Sequence, residues 1–293
     1  MANWRLRLSL CLYCSFAAIP QAVASETPPA VQGIWANLIG QAETLGLPTR
    51  FLRAIPPDFV TLEFDDLRAF AAEYHPAEHR MVLNRTLSFN AAAGSLRPLA
   101  SLSHRELGTL YHELFHAYLD YLLSARDQTA LGPQDFRLLA LARDQQQCRY
   151  QIVTIAPVVQ RKSATETRFL TERESWEALN ETWAVFVGWA VWTELELGGG
   201  KGRKGFRLGE NWMKRLTQAD RDGDLIGYYE PEGQAERAVA RKRYLAHAHR
   251  ITPREVRRLL EVVFGETAEG AQRLSKGMEQ GRAPSKDSVP CRE

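Results

Sequence analysis

The sequence predicts a helix-dominated α+β domain, and three observations support this prediction. Two segments before residue 100 are rich in strand-forming residues, whereas most of the chain after residue 103 carries apolar residues at helical spacing. The 293 residues are 45% hydrophobic and 25% charged, which is the composition of an ordinary globular protein that can bury a core. The same composition excludes an intrinsically disordered chain, a collagen-like repeat and a disulfide-dense miniprotein.

The N-terminal segment has the features of an export signal. A basic start and a short apolar run precede an Ala-x-Ala cleavage pattern at residues 22–24, so we expect residues 1–24 to be a signal peptide. The protein would then be exported, periplasmic or secreted, with no membrane anchor after cleavage, because no later stretch reaches the ~20 apolar residues of a span. Arg5 and Arg7 account for the formal charge of +2. Since the rest of the chain is neutral, we expect no nucleic-acid partner.

Helices and strands alternate in the first hundred residues. Apolar spacing ended by a Gly-x-Pro stop predicts the first helix, and runs of β-branched and aromatic residues predict the strands. We expect helices over 30–46 and 67–74, strands over 59–64 and 80–89, and a small-residue loop over 90–98.

The remainder of the chain is expected to be chiefly helical. Its predicted segments are a helix-rich region over 103–197 with a polar insert at 125–170, a basic glycine-rich loop over 198–205, and helices near 232–248 and 253–264. Thr252 and Glu255 form a capping box at the start of the last helix, and Gly265 ends it. Residues 266–293 are polar with little apolar periodicity. We therefore predict one domain over 25–265 and a flexible tail over 266–293.

The sequence from His112 to His116 is an H-E-x-x-H motif. It lies in a predicted helix that Ser103 and Glu106 begin with a capping box. Histidines four residues apart lie one turn above each other on a helix, so that His112 and His116 can bind one Zn²⁺. Glu113 between them is close enough to act on a water at the metal. We predict His112 and His116 as ligands and Glu113 as the general base.

A catalytic zinc needs a third protein ligand, and this chain does not supply it in the commonest histidine pattern. Leu122 stands where H-E-x-x-H-x-x-G-x-x-H would have its last histidine. A second long predicted helix carries Glu174, Glu177 and Glu181 along one side, next to an apolar face. Carboxylates beside a buried surface are costly unless they are paired or bind a cation, so this helix is the better source of the third ligand. The alternative is an acidic stripe that faces solvent. Gly188 on this helix would let it approach another helix closely.

The motifs at 112–116 (H-E-L-F-H) and 179–184 (L-N-E-T-W-A) together resemble the gluzincin type of zinc metallopeptidase. The resemblance implies a zincin-like fold with a small sheet ahead of the H-E-x-x-H helix and hydrolysis of peptide bonds. It implies Zn²⁺ as the cofactor, with Glu113 as the base and three ligands: His112, His116 and Glu181. The strand at 80–89 resembles the edge strand that aligns an extended substrate in such enzymes.

The sequence departs from the gluzincin pattern in two ways. The 64 residues between His116 and Glu181 are a long separation for the best-known members. Val185 stands where some members have an aspartate four residues after the glutamate ligand. Because of this second departure, Glu177 remains the alternative third ligand, with Glu181 then a supporting carboxylate.

A second metal is suggested by three aspartates at alternate positions, Asp220, Asp222 and Asp224. They resemble the start of a Ca²⁺-binding loop. Leu225 and Pro231 stand where an EF-hand has glycine and glutamate. The alternatives are therefore a Ca²⁺ site of another geometry and a solvated acidic turn.

Four residues downstream of the two motifs are candidates for stabilising an oxyanion, because gluzincin-like sites often recruit a tyrosine or histidine from this region. They are Tyr228, Tyr229, His247 and His249, and the alternative for each is ordinary packing or surface exposure. Two cysteines remain after signal cleavage. Cys148 and Cys291 either pair in an oxidising compartment or stay as two free thiols.

These features together predict an exported zinc metallopeptidase that acts on a peptide or protein substrate. Two other functions stay open: a non-catalytic zincin-like exported binding module, and a metal-dependent amidase that cleaves a cell-wall link. The intact Glu113 favours an enzyme, because a structural zinc site has no need of a general base.

Overall fold

The structure is a computed structural model, and the residues it describes are 29–67, 71–90, 95–125, 128, 131–155, 166–198, 208–234, 237 and 246–281. The predicted signal peptide and Cys291 lie outside these ranges, as does nearly all of the predicted basic loop at 198–205. Within them the protein is α+β with helices predominating, as the sequence predicts. No helix in the described ranges is both long and apolar enough to cross a bilayer.

The described helices and strands follow one another from an N-terminal helix to a C-terminal helical pair. The helices are α1 (Pro29–Thr44), α2 (Arg50–Ala54), α3 (His104–Ser124), α4 (Pro133–Cys148), α5 (Glu172–Leu197), α6 (Glu210–Asp222), α7 (Pro253–Val262) and α8 (Ala268–Gly281). The strands are β1 (Thr61–Asp65), β2 (Ala72–His75), β3 (Arg80–Asn84), β4 (Ser88–Asn90), β5 (Ser95–Leu96), β6 (Ile152–Ile155), β7 (Glu166–Phe169), β8 (Ile226–Tyr229) and β9 (Ala246–Arg250).

The largest described sheet has three strands in the order β1-β3-β2, with β3 parallel to β1 and antiparallel to β2. The predicted helix over 67–74 is wrong, because residues 72–75 form β2. Ala72 and Tyr74 are buried while Glu73 is exposed, and this alternation of two fits a strand paired along β3. The predicted strand over 80–89 is broken after Asn84, whose side chain accepts a hydrogen bond from the Thr86 amide and begins a 3₁₀ turn.

Helices α3 and α5 form the centre of the core, where they cross in close contact. A Cβ atom on Gly188 of α5 would lie 2.8 Å from the carbonyl oxygen of Gly108 on α3, and 3.1 Å from the Cβ of His112. A larger residue at position 188 would therefore push the helices apart. The expectation that Gly188 permits a close approach is confirmed. The predicted capping boxes of both helices are also present, Ser103 with Glu106 and Thr171 with Glu174.

The polar insert at 125–170 contains α4 and the antiparallel pair β6 and β7. Further along, the predicted helix near 232–248 is wrong at its end, because residues 246–250 form β9 and pair with β8. The capped helix predicted over 253–264 is confirmed as α7, with Gly265 at a φ of 72° after it.

The predicted flexible tail is wrong for residues 268–281, which form α8 and pack against α6 and α7. Ala271, Leu274 and Met278 are buried there, and their separations of three and four residues place them on one face. The domain therefore extends past residue 265. The segment contains few apolar residues, but they lie at the positions that face the core.

Candidate metal centre

Helix α3 presents the H-E-x-x-H residues on the side that faces α5. The two imidazole Nε2 atoms of His112 and His116 lie 3.0 Å apart, and the rings meet edge to face with centroids 4.6 Å apart. Potential ligand atoms of these histidines and Glu113 all lie within 4.8 Å of one another. Helix α3 is anchored in the core by buried apolar residues, which include Leu114 and Phe115 of the motif itself. The motif therefore lies on a rigid element.

Helix α5 brings the carboxylate of Glu181 to both histidines. Its Oε2 lies 3.4 Å from Nε2 of His112, and its Oε1 lies 3.6 Å from Nε2 of His116. Glu177, one turn earlier, instead accepts a hydrogen bond of 3.0 Å from the amide of Glu230. The position between the histidines thus belongs to Glu181, and Glu177 contacts the segment after β8.

The electrostatics of the cluster favour a bound positive charge. Burial lowers the pKa of His116, but the hydrogen bond and negative charge of Glu181 outweigh it and raise the pKa to about 9. Burial alone would raise the pKa of Glu181, yet the hydrogen bonds and charges of His112 and His116 hold that pKa far below its ordinary value. Burial raises the pKa of Glu113 above its ordinary value, against the lowering effect of both histidines. A cation with a preference for nitrogen and oxygen ligands suits this environment.

Asn180, the residue before Glu181, supports the same interpretation. Its side-chain oxygen is buried and has no hydrogen-bond partner of good geometry among the described residues. The asparagine lies beside His116 and raises the pKa of that imidazole. A histidine that binds a metal through Nε2 usually donates its Nδ1–H to an oxygen, and Asn180 offers one.

Tyr74 of the edge strand β2 forms two hydrogen bonds to residues of α3. The backbone N–H of Tyr74 donates to Oε2 of Glu113 at 3.0 Å, and its hydroxyl donates to Oδ2 of Asp120 at 2.6 Å. Nδ1 of His79 lies 2.7 Å from the same Asp120 oxygen. His79 has a φ of 47°, a left-handed conformation that few residues other than glycine adopt.

These contacts correct the predicted role of the strand at 80–89, because β3 lies in the middle of its sheet and β2 is the edge strand at the site. Tyr74, His79 and Asp120 belong to no sequence motif and were not predicted as site residues. Asp120 could have been noticed, since it continues the four-residue spacing of His112 and His116 by one more turn.

The oxyanion candidates are placed on β8 and β9, which pack along α5. Tyr229 is fully buried, and its hydroxyl accepts a hydrogen bond of 3.3 Å from Arg168. A ring nitrogen of His249 is hydrogen-bonded to the carbonyl of Ile152, and burial lowers the pKa of this histidine. Both side chains are therefore engaged in packing.

Tyr228 is half-buried, and its backbone pairs with that of His247. Strand β8 packs closely against α5 here, because a Cβ on Gly227 would collide with the amide nitrogen of Thr182, the residue after Glu181. The proposed role of Tyr228 and of His247 in stabilising an oxyanion stays a prediction.

The three aspartates of the predicted Ca²⁺ loop lie at a helix end. Asp220 is buried within α6, and Asp222 is the last residue of that helix and accepts hydrogen bonds of 2.8 Å from Gln218. Residues two apart on a helix point in different directions, and the carboxylates of Asp220, Asp222 and Asp224 form no cluster in the described part of the chain. Asp220 and Asp222 thus lie in a helix and not in a loop, and Ca²⁺ binding at this position stays a prediction.

The end of α4 carries Cys148, which is disulfide-bonded. The proposed partner Cys291 lies outside the described residues, so that the pairing of the two stays a prediction.

Comparisons of the chain with protein-family models, with curated proteins and with solved structures found no match. The functional inference therefore depends on the chemistry of the site. On this α+β fold, two imidazoles and one carboxylate face a common point, and a second carboxylate lies beside them. This is the arrangement of a candidate catalytic metal centre.

Proposed function

We propose that the protein is an exported zinc-dependent metallopeptidase of the gluzincin type. The observation that supports this best is the position of the Glu181 carboxylate, 3.4 Å and 3.6 Å from the Nε2 atoms of the two motif histidines. Two imidazole nitrogens and one carboxylate oxygen form a common ligand set of catalytic zinc, which leaves a further position for water and substrate.

The residues present fit a zinc ion. Three donors of suitable type face one point, and the buried side-chain oxygen of Asn180 beside His116 would accept a hydrogen bond from the second ring N–H of that histidine. When bound, zinc would polarise the scissile carbonyl and make water acidic at neutral pH. His112, His116 and Glu181 would hold it.

Glu113 would move the proton in this reaction. Its carboxylate would accept a proton from the attacking water and deliver it to the leaving nitrogen as the peptide bond breaks. Burial raises its pKa above the ordinary value of a glutamate, which suits a group that must both accept and donate a proton. The Tyr74 amide hydrogen bond holds the Glu113 carboxylate in place beside the histidines.

The edge of β2 would bind the substrate backbone. The amide of Tyr74 points away from β3 and toward Glu113, so the unpaired side of the strand borders the site. An extended peptide can add to such an edge by main-chain hydrogen bonds. The open edge of β2 therefore favours an extended peptide as the substrate.

The proposal is tested by metal analysis of the purified mature protein together with a peptide-library digest. We expect about one zinc per chain, cleavage of peptides, loss of cleavage with a chelator and recovery on adding Zn²⁺. Zinc without cleavage of any peptide would favour the binding module. Cleavage of cell-wall amides alone would favour the amidase.

Removing the Tyr74 hydroxyl should weaken catalysis without removing the metal. In Tyr74→Phe the amide that contacts Glu113 remains, but β2 loses its side-chain bond to Asp120. We expect kcat/KM to fall by about tenfold, mainly through KM, because misplaced positioning groups typically cost this much or more. Steady-state kinetics and zinc content measure the effect.

The matched control is Tyr121→Phe. It removes the hydroxyl of a tyrosine on α3 that follows Asp120 in the sequence and packs against Phe59. It should leave kcat/KM unchanged. An equal loss in both variants, or a loss of zinc in Tyr74→Phe, would contradict the positioning role of Tyr74.

A further inference from the structure

A second concave site lies between α4 and α7, and it shares no residue with the metal cluster. We call it the arginine cleft, and its volume is about 230 Å³. Helix α4 contributes Phe136, Arg137, Ala140, Leu141 and Asp144, and α7 contributes Arg254, Arg257 and Arg258. Four guanidinium groups thus surround a space that fits a small molecule.

Among the described residues, the arginines of the cleft outnumber the carboxylates that pair with them. Arg254 pairs with Asp144 at 3.3 Å, and Arg258 pairs with Glu261 at 2.7 Å. Arg257 shares Glu261 at the longer distance of 3.9 Å. Arg137 is exposed and has no ion pair in the described residues. Two carboxylates therefore pair with three of the four guanidinium groups among the described residues. The ion pair of Arg254 with Asp144 is exposed to solvent, and such pairs contribute little to stability.

The walls of the arginine cleft are fixed by buried contacts. Glu255, next to Arg254, is fully buried and accepts hydrogen bonds from the Tyr150 hydroxyl at 3.0 Å and from the Trp183 ring nitrogen at 2.9 Å. On the α4 side, Gln146 donates to the hydroxyl of Ser175 at 2.7 Å. The arginines therefore project from helices that are already in place, which lowers the entropy cost of binding.

One side of the arginine cleft is apolar. Phe136 is 48% exposed, and Ala140 and Leu141 extend the same wall. A guanidinium group binds carboxylate or phosphate through two parallel hydrogen bonds. We propose that the arginine cleft binds a small organic anion in which a carboxylate or phosphate is attached to an aromatic or aliphatic group.

Calorimetric titration of the full chain tests this with four compounds: phenyl phosphate, benzoate, inorganic phosphate and benzyl alcohol. We expect phenyl phosphate or benzoate to bind, inorganic phosphate to bind more weakly than phenyl phosphate, and benzyl alcohol not to bind. The stronger of phenyl phosphate and benzoate identifies the anionic group. Failure of both to bind at millimolar concentration would overturn the proposal.

Substitutions in the arginine cleft then test whether the compound binds there. The double variant Arg137→Gln, Arg254→Gln should lower the affinity for phenyl phosphate by about tenfold or more, as expected when charged hydrogen bonds are lost. Phe136→Ala should lower the affinity for phenyl phosphate but not the affinity for inorganic phosphate. Arg273→Gln on the exposed side of α8 is the control and should have no effect. Binding that persists unchanged in the double variant would lie elsewhere, including at the metal cluster, and would contradict the assignment to the arginine cleft.

Discussion

Glu113→Gln should retain about one zinc per chain while turnover falls by ~10²–10⁴, the usual contribution of a general base. Glutamine keeps the size of the side chain and can still accept the hydrogen bond from the Tyr74 amide. It cannot accept a proton from water. The ligand atoms of His112, His116 and Glu181 are untouched, so the metal should stay. Metal analysis and initial rates on the best library peptide measure the two quantities.

The control for this change is Glu269→Gln, which makes the same substitution at an exposed position on α8. It should keep both zinc and turnover. Full turnover in Glu113→Gln would remove the base from the proposed mechanism, and loss of zinc would show that Glu113 is itself a ligand. Either result would leave the assignment of the two histidines intact.

The core of the site could be predicted because its signals are local in sequence. The capping box of Ser103 with Glu106 fixes where α3 begins, and the four-residue spacing of His112 and His116 then fixes their common face. The third ligand, Glu181, is harder to predict from the sequence, because 64 residues separate it from His116. The capping box at Thr171 and the apolar face of α5 still indicated a helix that could pack against α3.

The parts that were missed depend on contacts between distant segments. Residues 72–75 form a strand because β3 is beside them, and their own residue types do not require it. Helix α8 has few apolar residues, so its burial of Leu274 and Met278 against other helices could not be anticipated from composition. The bond between Tyr74 and Asp120 joins residues 46 apart and has no sequence motif.

The third ligand is decided by comparing two glutamates on one helix. Glu181→Gln should weaken zinc binding by about a hundredfold or more, since it removes one of three protein ligands and the charge that attracts the cation. Glu177→Gln should keep its zinc. Burial raises the pKa of Glu177 to about 7, so a neutral side chain is tolerated there, and glutamine can still accept from the Glu230 amide.

Competition of each variant with a chromophoric chelator gives the zinc affinity directly, and thermal unfolding in the presence of chelator shows whether either change damages the fold. We expect similar metal-free midpoints for both variants and a difference only in affinity. Zinc loss in Glu177→Gln with retention in Glu181→Gln would reverse the two roles, making Glu181 the carboxylate that orients a histidine. Retention in both would exclude the gluzincin assignment, because no third ligand from α5 would then be needed. Glu181 is favoured over Glu177 because its two oxygens already lie 3.4 Å and 3.6 Å from the nitrogens that would bind the same ion.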